Sequence, residues 1–205
     1  MLAPGAWSVI SGHGDYNGDG KSDLLVRNAN GDTRMWLMNG TSVQTFGSFG
    51  AIPTSWNPVA GADAGATLTG DGSANSLTGT VNNDTLIGLT GNDTLTGSIG
   101  ADRFVFNTAL NATTNVDTLT DFSSGTDKIL LDHLILTALT TGTLAATSFV
   151  AEAGAVAHDG NDYLLYNTST GDLSYDPDGT GVQAAVLFAH LNNNPAMVAA
   201  DIGVV

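Results

Sequence analysis

Residues Gly70–Val105 read G-D-G-S-A-N-S-L-T, G-T-V-N-N-D-T-L-I, G-L-T-G-N-D-T-L-T and G-S-I-G-A-D-R-F-V, which are four units with a period of nine. A glycine opens each unit, Asn or Asp is sixth, and Leu or Phe is eighth. Glycines allow tight turns, and one apolar residue can face inward from a short strand. Each unit therefore predicts a six-residue loop and a three-residue strand, which together make half a turn of a parallel β-roll.

In such a roll, units n and n+2 stack on the same side. The stacking places Asn75 over Asp93 on one edge and Asp84 over Asp102 on the other. Carboxylate, amide and carbonyl oxygens are the ligands that Ca²⁺ prefers. The predicted calcium-binding residues of the roll are Gly70, Gly72, Asn75, Gly79, Asn82, Asp84, Gly88, Gly91, Asp93, Gly97, Gly100 and Asp102. A glycine-rich linker or an ordinary β-meander is the alternative, which four units in register disfavour.

The units resemble the RTX (hemolysin-type calcium-binding) nonapeptide G-G-x-G-x-D-x-U-x, a β-helix repeat that binds calcium. All four units lack the second glycine, and the fourth-position glycine occurs only as Gly91 and Gly100. Asn75 replaces the acid of the first unit. The resemblance therefore implies a better calcium site at Asp84 and Asp102 than at Asn75 and Asp93.

The C-terminal hundred residues predict further short strands at Val116–Leu119 and Ile129–Leu131. A hairpin is expected from Tyr163–Tyr166 and Leu173–Tyr175, and a short helix over Leu144–Phe149 with Thr143 as its cap. Asp176 and Asp178, in the loop D-P-D-G-T-G, hold another Ca²⁺ or make an Asp-Gly turn. The remaining acids nearby are expected to form turns or to be solvated rather than to bind metal; they are Asp117, Asp121, Asp127 and Asp132.

Residues 61–205 resemble the C-terminal domain of serralysin-type metalloproteases and of other type I-secreted RTX proteins. The resemblance is carried by the phrases G-A-D-x-F-V-F, D-x-L-x-D-F-x-x-G-x-D-K-I and Y-D-x-D-G-T-G and by the terminal D-I-G-V-V. It implies an uncleaved C-terminal export signal that an ABC exporter reads, and hence a secreted, extracellular protein. For the terminal five residues alone, a docked or disordered chain end is the alternative.

The N-terminal segment Asp15–Asp23 reads D-Y-N-G-D-G-K-S-D. Its oxygen ligands match the first part of an EF-hand loop, in the order Asp15, Asn17, Asp19, the Lys21 carbonyl and Asp23. However, Val26 stands where that loop requires Glu, and strand patterns rather than helices follow. The segment resembles an FG-GAP/VCBS β-propeller repeat, which implies calcium in this loop. An Asx-rich turn is the alternative.

The three tryptophans, Trp7, Trp36 and Trp56, are expected in the core of this blade, with sugar stacking as the alternative. One blade cannot close a propeller. The chain is therefore expected to be the C-terminal part of a longer protein or a shortened relative.

The charge balance excludes several classes of function. The 205 residues contain 20 acids and 5 basic residues, for a net charge of −15, so a nucleic-acid-binding face is not expected. With no cysteine there are no disulfides or thiolate sites. No apolar run is long enough to span a membrane, and the first residues lack the pattern of a conventional signal peptide.

No catalytic motif is found in the sequence. H-E-x-x-H, G-x-S-x-G and phosphate-binding glycine loops are all missing, and the four histidines show no zinc-ligand spacing; they are His13, His133, His158 and His190. We therefore expect no enzyme activity from this chain, although a catalytic domain upstream is compatible with it.

The predicted fold class is all-β. It comprises a propeller-blade-like meander (1–55), a junction with a degenerate repeat (56–69), a parallel β-roll (70–105) and an antiparallel sandwich-like C-terminal domain (106–205). The predicted function is an extracellular calcium-binding module that folds on Ca²⁺ and carries a type I secretion signal. The alternatives are an adhesin that binds a glycan or cell surface, and the non-catalytic part of a secreted metalloprotease or other hydrolase.

Overall fold

The structure is a computed structural model that describes residues 7–14, 23–28, 32–39, 42–51 and 65–205. The chain divides into two compact units, Met1–Asp63 and Ala64–Val205. Each is taken by itself below. The finer division of the second unit at residues 69 and 105 stays a prediction.

The first unit contains a four-stranded antiparallel sheet. Its strands are β1 (Trp7–Gly14), β2 (Asp23–Asn28), β3 (Asp32–Asn39) and β4 (Ser42–Ala51), hydrogen-bonded in chain order. Val26 is buried and Trp36 is half-buried. The predicted propeller-blade-like meander is confirmed, because each strand pairs with the next one along the chain.

The second unit begins with the β-roll. Its strands are β5 (Thr67–Thr69), β6 (Ser76–Thr78), β7 (Thr85–Ile87), β8 (Thr94–Thr96) and β9 (Arg103–Phe106). Alternate strands pair in parallel. On one side β7 pairs with both β5 and β9, and on the other side β6 pairs with β8. The eighth-position residues Leu86, Leu95 and Phe104 are fully buried between the two sheets. The stacking of units n and n+2 is therefore confirmed.

The C-terminal strands extend the same two sheets. They are β10 (Asp117–Leu119), β11 (Lys128–Leu131), β12 (Gly142–Thr143), β13 (Phe149–Glu152), β14 (Leu164–Asn167), β15 (Asp172–Tyr175), β16 (Val186–Leu191) and β17 (Ile202–Val204). One sheet has the order β13-β14-β15-β16-β10-β8-β6, and the other has the order β12-β17-β11-β9-β7-β5. The roll thus continues into a two-sheet sandwich, as expected.

The pairing in this sandwich is mixed rather than purely antiparallel. β14, β15 and β16 pair antiparallel, which confirms the predicted hairpin, whereas β10 and β16, and β11 and β17, are parallel. The parallel direction of the roll is therefore carried into the C-terminal half by β10 and β11, which pair directly with β8 and β9.

No α-helix occurs in the described ranges; the helical segments there are two 3₁₀ turns, Ala146–Ser148 and Ala199–Asp201. The predicted helix over Leu144–Phe149 was wrong in type and extent, and Thr143 belongs to β12 instead of capping it. Only five residues separate β12 from β13, too few to nucleate an α-helix. Neither of these turns is long and apolar enough to cross a membrane.

The hydrophobic core lies between the two sheets and is largest in the C-terminal half. Phe106 and Phe188 meet edge to face with ring centroids 5.0 Å apart, and Phe104 lies 5.9 Å from Phe122. Tyr166 is also fully buried in this core. In the roll strands β5–β8, by contrast, the core receives a single apolar side chain per strand.

Candidate metal centre

Two columns of polar side chains run along the edges of the roll. The first column is Asn75, Asp93 and Asp117, and the second column is Asp84, Asp102 and Asp127. Each member lies at the end of a loop, next to or at the start of a strand of the roll or its extension. All five aspartates are at most 4% exposed. The fold thus buries five carboxyl groups along two lines.

One hydrogen bond repeats along both columns. The Oδ1 atom of each aspartate accepts the backbone N–H of the residue in the preceding turn. In the first column these bonds join Asn75 N to Asp93 Oδ1 (2.7 Å) and Asp93 N to Asp117 Oδ1 (3.1 Å). In the second column they join Asp84 N to Asp102 Oδ1 (2.8 Å) and Asp102 N to Asp127 Oδ1 (2.9 Å). The columns therefore tie each turn of the roll to the next.

The second carboxylate oxygen is left without a partner at one position in each column. Asp93 Oδ2 and Asp102 Oδ2 are buried and accept no hydrogen bond. Buried polar groups are normally satisfied, and a buried charge without a partner is costly. Within residues 65–205 no lysine, arginine or histidine forms an ion pair with either column. The two orphaned oxygens need a positive partner.

In each column, glycine keeps open the space beside a carboxylate oxygen, that of Asp93 in the first and that of Asp84 in the second. An ideal Cβ on Gly88 would lie 2.3 Å from Asp93 Oδ2 and 3.0 Å from Asp117 Oδ2. At Gly79 it would lie 2.6 Å from Asp84 Oδ2 and 2.5 Å from the Gly97 carbonyl oxygen. A side chain at either place would collide with the oxygens of two successive turns. These glycines therefore let oxygens from two turns face one small space.

Such a space suits an oxygen-binding cation. Ca²⁺ takes six to eight oxygens, from carboxylates and from backbone carbonyls. In the described part of the chain no three His, Cys, Asp or Glu side chains gather at one point. A cation in the columns would therefore take two side chains and several carbonyls, such as that of Gly97.

Burial and mutual repulsion disturb the protonation of the columns. Burial, with the charge of Asp93 added, raises the pKa of Asp117 to about 7. The pKa of Asp102 is also raised, chiefly by burial and further by the charges of Asp127, Asp84 and Asp121. In the absence of a cation, burial therefore favours the protonated form of these two carboxyl groups, Asp117 and Asp102.

The family model for the peptidase M10 serralysin C terminal matches residues 62–187, which is more than half of the chain and includes both columns. The chain belongs to the serralysin C-terminal family. This family is the non-catalytic, RTX-type C-terminal part of secreted serralysin-type proteins and is associated with type I secretion. The FG-GAP repeat model matches residues 9–48, which span the N-terminal meander. No curated protein matches the chain significantly.

Within the serralysin C-terminal region, Asp117 and Asp127 correct the sequence analysis. They are not solvated, because they are 4% and 3% exposed and continue the two columns, although Asp127 does form a turn, in which its Oδ2 accepts the Ser123 N–H at 2.8 Å. The nine-residue period does not reach these two residues, because the connections before them are longer. They follow their column neighbours by 24 and 25 residues, whereas the separation within the roll is 18. A usable signal was present: D-T-L recurs at Asp84, Asp93 and Asp117.

The other two acids have separate roles. Asp121 accepts the backbone N–H groups of Gly97 (2.9 Å) and Ser98 (2.8 Å), so it ties the fourth loop of the roll to the next turn. Asp132 accepts the N–H of Leu134, which is the turn-forming role expected for it.

Where the repeats lack their second glycine, two other residues adopt a left-handed backbone conformation. Leu89 and Ser98 occupy that place in the third and fourth units, and both have φ of 73°, in the left-handed region. L-residues are disfavoured there by roughly 1–2 kcal/mol. The serralysin C-terminal roll of this chain therefore keeps the glycine-type turn without the glycine.

The remaining predicted site residues lie in loops. Gly91 and Gly100, at positive φ, pack against the backbone of Ser73 and Asn82 in the preceding turns, and a Cβ built on Gly72 would lie 3.5 Å from Thr90 Oγ1. In the first unit the Asn75 side-chain oxygen accepts the N–H of Asp71, at 2.7 Å. Gly70, like Gly79, has a carbonyl of the next turn close beside it, that of Gly88.

The two C-terminal acids predicted as ligands lie together in one loop. Asp176 is buried, and its Oδ1 accepts the Asp178 N–H at 3.2 Å. Asp178 accepts the N–H groups of Val182 and Gln183 through Oδ2, while its Oδ1 is buried without a partner. The turn role is therefore present, and a metal here stays a prediction.

The N-terminal loop is the other predicted calcium site. Asp15, Asn17, Asp19 and Lys21 lie outside the described residues. Asp23 begins β2, opposite Gly14.

The tail is built into the serralysin C-terminal sandwich. β17 lies between β12 and β11, with Ile202 and Val204 buried. Asp201 is fully buried and accepts hydrogen bonds from Gly125 N (2.8 Å) and Ser124 Oγ (2.7 Å). The terminal residues D-I-G-V-V are therefore docked in the folded protein.

Proposed function

We propose that this chain is an extracellular calcium-binding RTX module that folds on binding Ca²⁺ and carries a type I secretion signal at its C-terminus. The observation that supports it best is the pair of buried, unpartnered oxygens, Asp93 Oδ2 and Asp102 Oδ2, in two repeating columns. The net charge of −15 adds to the need for cations.

The proposed ligands are the column side chains and the carbonyls beside them. In the first column they are Asn75, Asp93 and Asp117, and in the second Asp84, Asp102 and Asp127. The ion supplies the positive charge that these buried carboxylates lack. The loop from Asp15 to Asp23 is a further proposed site, which rests on its ligand spacing and on the FG-GAP match.

Calcium binding of this kind is coupled to folding. Without metal, five buried carboxyl groups repel one another or take up protons, so the folded roll is destabilised. Extracellular calcium sites bind with Kd of roughly 10⁻⁴–10⁻³ M. Each site at 100 times its Kd would stabilise the native state by about 2.7 kcal/mol. The chain would therefore stay loose at low calcium and fold where calcium is abundant.

The same coupling suits export. An ABC exporter that reads the C-terminal residues can reach them in the unfolded chain, because Asp201 and β17 are buried after folding. The proposed partner is thus the exporter, and the proposed location is extracellular. The module itself is proposed to be non-enzymatic and to serve a larger secreted protein.

A calcium titration tests the folding proposal. The chain is stripped with EGTA and followed by far-UV circular dichroism and thermal melting as CaCl₂ is added, with MgCl₂ as control. We expect a cooperative gain of β signal and a rise in Tm between micromolar and millimolar Ca²⁺, and little change with Mg²⁺. Asp102→Asn should move the transition to at least tenfold higher calcium. Asp132→Asn, which alters a turn outside the columns, should leave it unchanged.

A chain that is fully folded in EGTA, with the same Tm in calcium, would overturn the proposal. An equal shift in Asp102→Asn and Asp132→Asn would instead show that the columns are not the calcium sites.

A further inference from the structure

A small cavity lies on the outer face of the seven-stranded sheet, away from both columns. Its volume is about 190 Å³, and it is lined by Leu165, Asn167, Asp172, Ser174 and Leu187 on strands β14, β15 and β16. Pockets for drug-sized ligands usually measure roughly 300–1,000 Å³. The cavity is therefore sized for a single small ring.

The carboxylate in this cavity is held from two sides. Asp172 Oδ1 lies 2.9 Å from His190 Nδ1, and Asp172 Oδ2 accepts the hydroxyl of Thr170 at 2.7 Å. Each carboxylate oxygen has a second lone pair for another donor. Because each oxygen already accepts one hydrogen bond, the carboxylate is held in one orientation. It therefore offers a ligand acceptor sites in fixed positions.

Two further side chains at the cavity, Asn167 and Ser174, have polar groups that are free to form hydrogen bonds with a ligand. Asn167 uses its Oδ1 to accept the N–H groups of Gly154 and Ser169, both at 3.0 Å, which fixes the amide and orients its Nδ2 donor. Within residues 65–205 neither this Nδ2 nor the Ser174 hydroxyl has a hydrogen-bond partner. The cavity thus presents an acceptor, a donor and a hydroxyl.

The apolar part of the cavity completes the set. Leu165 is 6% exposed and Leu187 is half-buried on the neighbouring strand. A ligand with hydroxyl groups on its rim and C–H bonds on its face would satisfy both parts. An anion would be repelled by Asp172, and a cation would compete with the two hydrogen bonds that Asp172 already makes to His190 and Thr170.

We propose that this cavity binds one pyranose residue of a glycan, with vicinal hydroxyls on Asp172 and Asn167 and the C–H face on the leucines. The proposal goes beyond calcium-dependent folding and does not use the tryptophans of the N-terminal unit. A single sugar ring in a cavity of this size should bind weakly, with Kd in the millimolar range.

The test uses ¹⁵N–¹H NMR of the full chain in saturating CaCl₂. Methyl glycosides of glucose, galactose, mannose and N-acetylglucosamine are titrated one at a time to 50 mM. At least one should shift the amides of β14–β16, with saturation in the millimolar range. Asp172→Asn and Ser174→Ala should each weaken binding several-fold. Thr78→Ala, which removes an exposed hydroxyl from β6 at the far edge of the same sheet, should not.

Two results would overturn the proposal. The first is no saturable shift at β14–β16 with any glycoside. The second is preferential binding of N-acetyl-lysine amide, tested in parallel, because that would make the cavity a site for basic side chains. Both results are independent of the calcium titration, since the spectra are recorded on protein already folded in calcium.

Discussion

The roll strands β5–β9 and the C-terminal strands β10–β17 belong to the same two sheets but are stabilised differently. The strands β5–β8 each contribute one apolar side chain to the core, and at the start of the roll those of Leu68 on β5 and Leu77 on β6 are only half-buried. The C-terminal half packs aromatic rings between the sheets, including Phe122, Tyr166 and Phe188. The roll therefore has little apolar surface to bury beside its three buried carboxyl groups, those of Asp84, Asp93 and Asp102.

This difference shows how stability is divided along one continuous pair of sheets. Burial of apolar side chains stabilises the C-terminal half without help from solutes. In the roll, the burial of charged carboxylates costs free energy, and a bound cation would offset that cost. The comparison yields five predictions, from the largest expected effect to the smallest.

Removal of calcium should loosen the roll more than the C-terminal half. With two sites at 100 times their Kd, EGTA should lower the stability of the roll by about 5 kcal/mol. Hydrogen exchange followed by NMR should show fast exchange at the amides of Thr94 and Arg103, and slower exchange in β14–β16. Equal loss of protection in both regions would show a single cooperative unit and remove the distinction.

Phe188→Ala should destabilise the protein by about 3–5 kcal/mol, because the ring is 1% exposed and packs edge to face on Phe106. Urea unfolding in calcium measures the loss. Leu77→Ala, at the half-buried start of the roll, is the matched comparison and should cost clearly less. A larger loss at Leu77 would mean that the roll is held by its core after all.

Acidification should stabilise the metal-free protein. The pKa of Asp117 is raised by burial to about 7, from an ordinary value of 3.8. Its protonated form is therefore favoured on folding, and this contribution is lost as pH rises through 7. Thermal melts in EGTA should give a higher Tm at pH 5.5 than at pH 8. The corresponding gain in the free energy of unfolding should be a few kcal/mol at most.

Asp117→Asn cannot titrate and should flatten this pH dependence. In saturating calcium the preference should disappear or reverse, because protons and metal compete for the same oxygens. A metal-free Tm that rises from pH 5.5 to pH 8 would contradict the prediction.

Tyr166→Phe should raise stability by up to about 1 kcal/mol, because the hydroxyl is buried in the C-terminal core without a partner. The control is Tyr175→Phe, which removes the acceptor of the Ala138 N–H at 3.0 Å and should lower stability. Chemical denaturation of both variants decides the matter. A loss in Tyr166→Phe would reveal a partner for that hydroxyl in solution.

Ser98→Gly should stabilise the roll by up to about 1 kcal/mol. Glycine removes the cost of a left-handed residue, which exceeds the entropy that it adds to the unfolded chain. Ile99→Gly, at the next position in the same exposed loop, has no such strain to relieve and should destabilise. Melting temperatures in calcium distinguish the two, and the prediction fails if both variants lose stability equally.

The nine-residue period was enough to predict the roll, because every contact in it is between neighbouring turns. The strands β5–β9 and the stacking of Leu86 on Phe104 follow from glycine spacing and one apolar position. The hairpin of β14 and β15 was also predictable, since its turn is short and local.

The rest depends on contacts between distant parts of the chain. β16 pairs with β10 across about seventy residues, and no local pattern announces that neighbour. Asp117 and Asp127 were misjudged because irregular connections interrupt the period before them. The orphaned oxygens of Asp93 and Asp102 emerge only from burial and hydrogen bonding in three dimensions. The metal role of the columns and of the N-terminal loop stays a prediction.

The position of β17 has a consequence for genetics. β17 lies between β11 and β12 in the sheet. A deletion of residues 202–205 therefore removes a structural strand together with any export signal in that segment. Truncation would thus combine misfolding with any loss of the proposed export signal. Substitution of Val205, which is 58% exposed, separates the two, whereas Ile202 and Val204 support the core and a Cβ on Gly203 would lie 3.0 Å from Leu130 Cδ2.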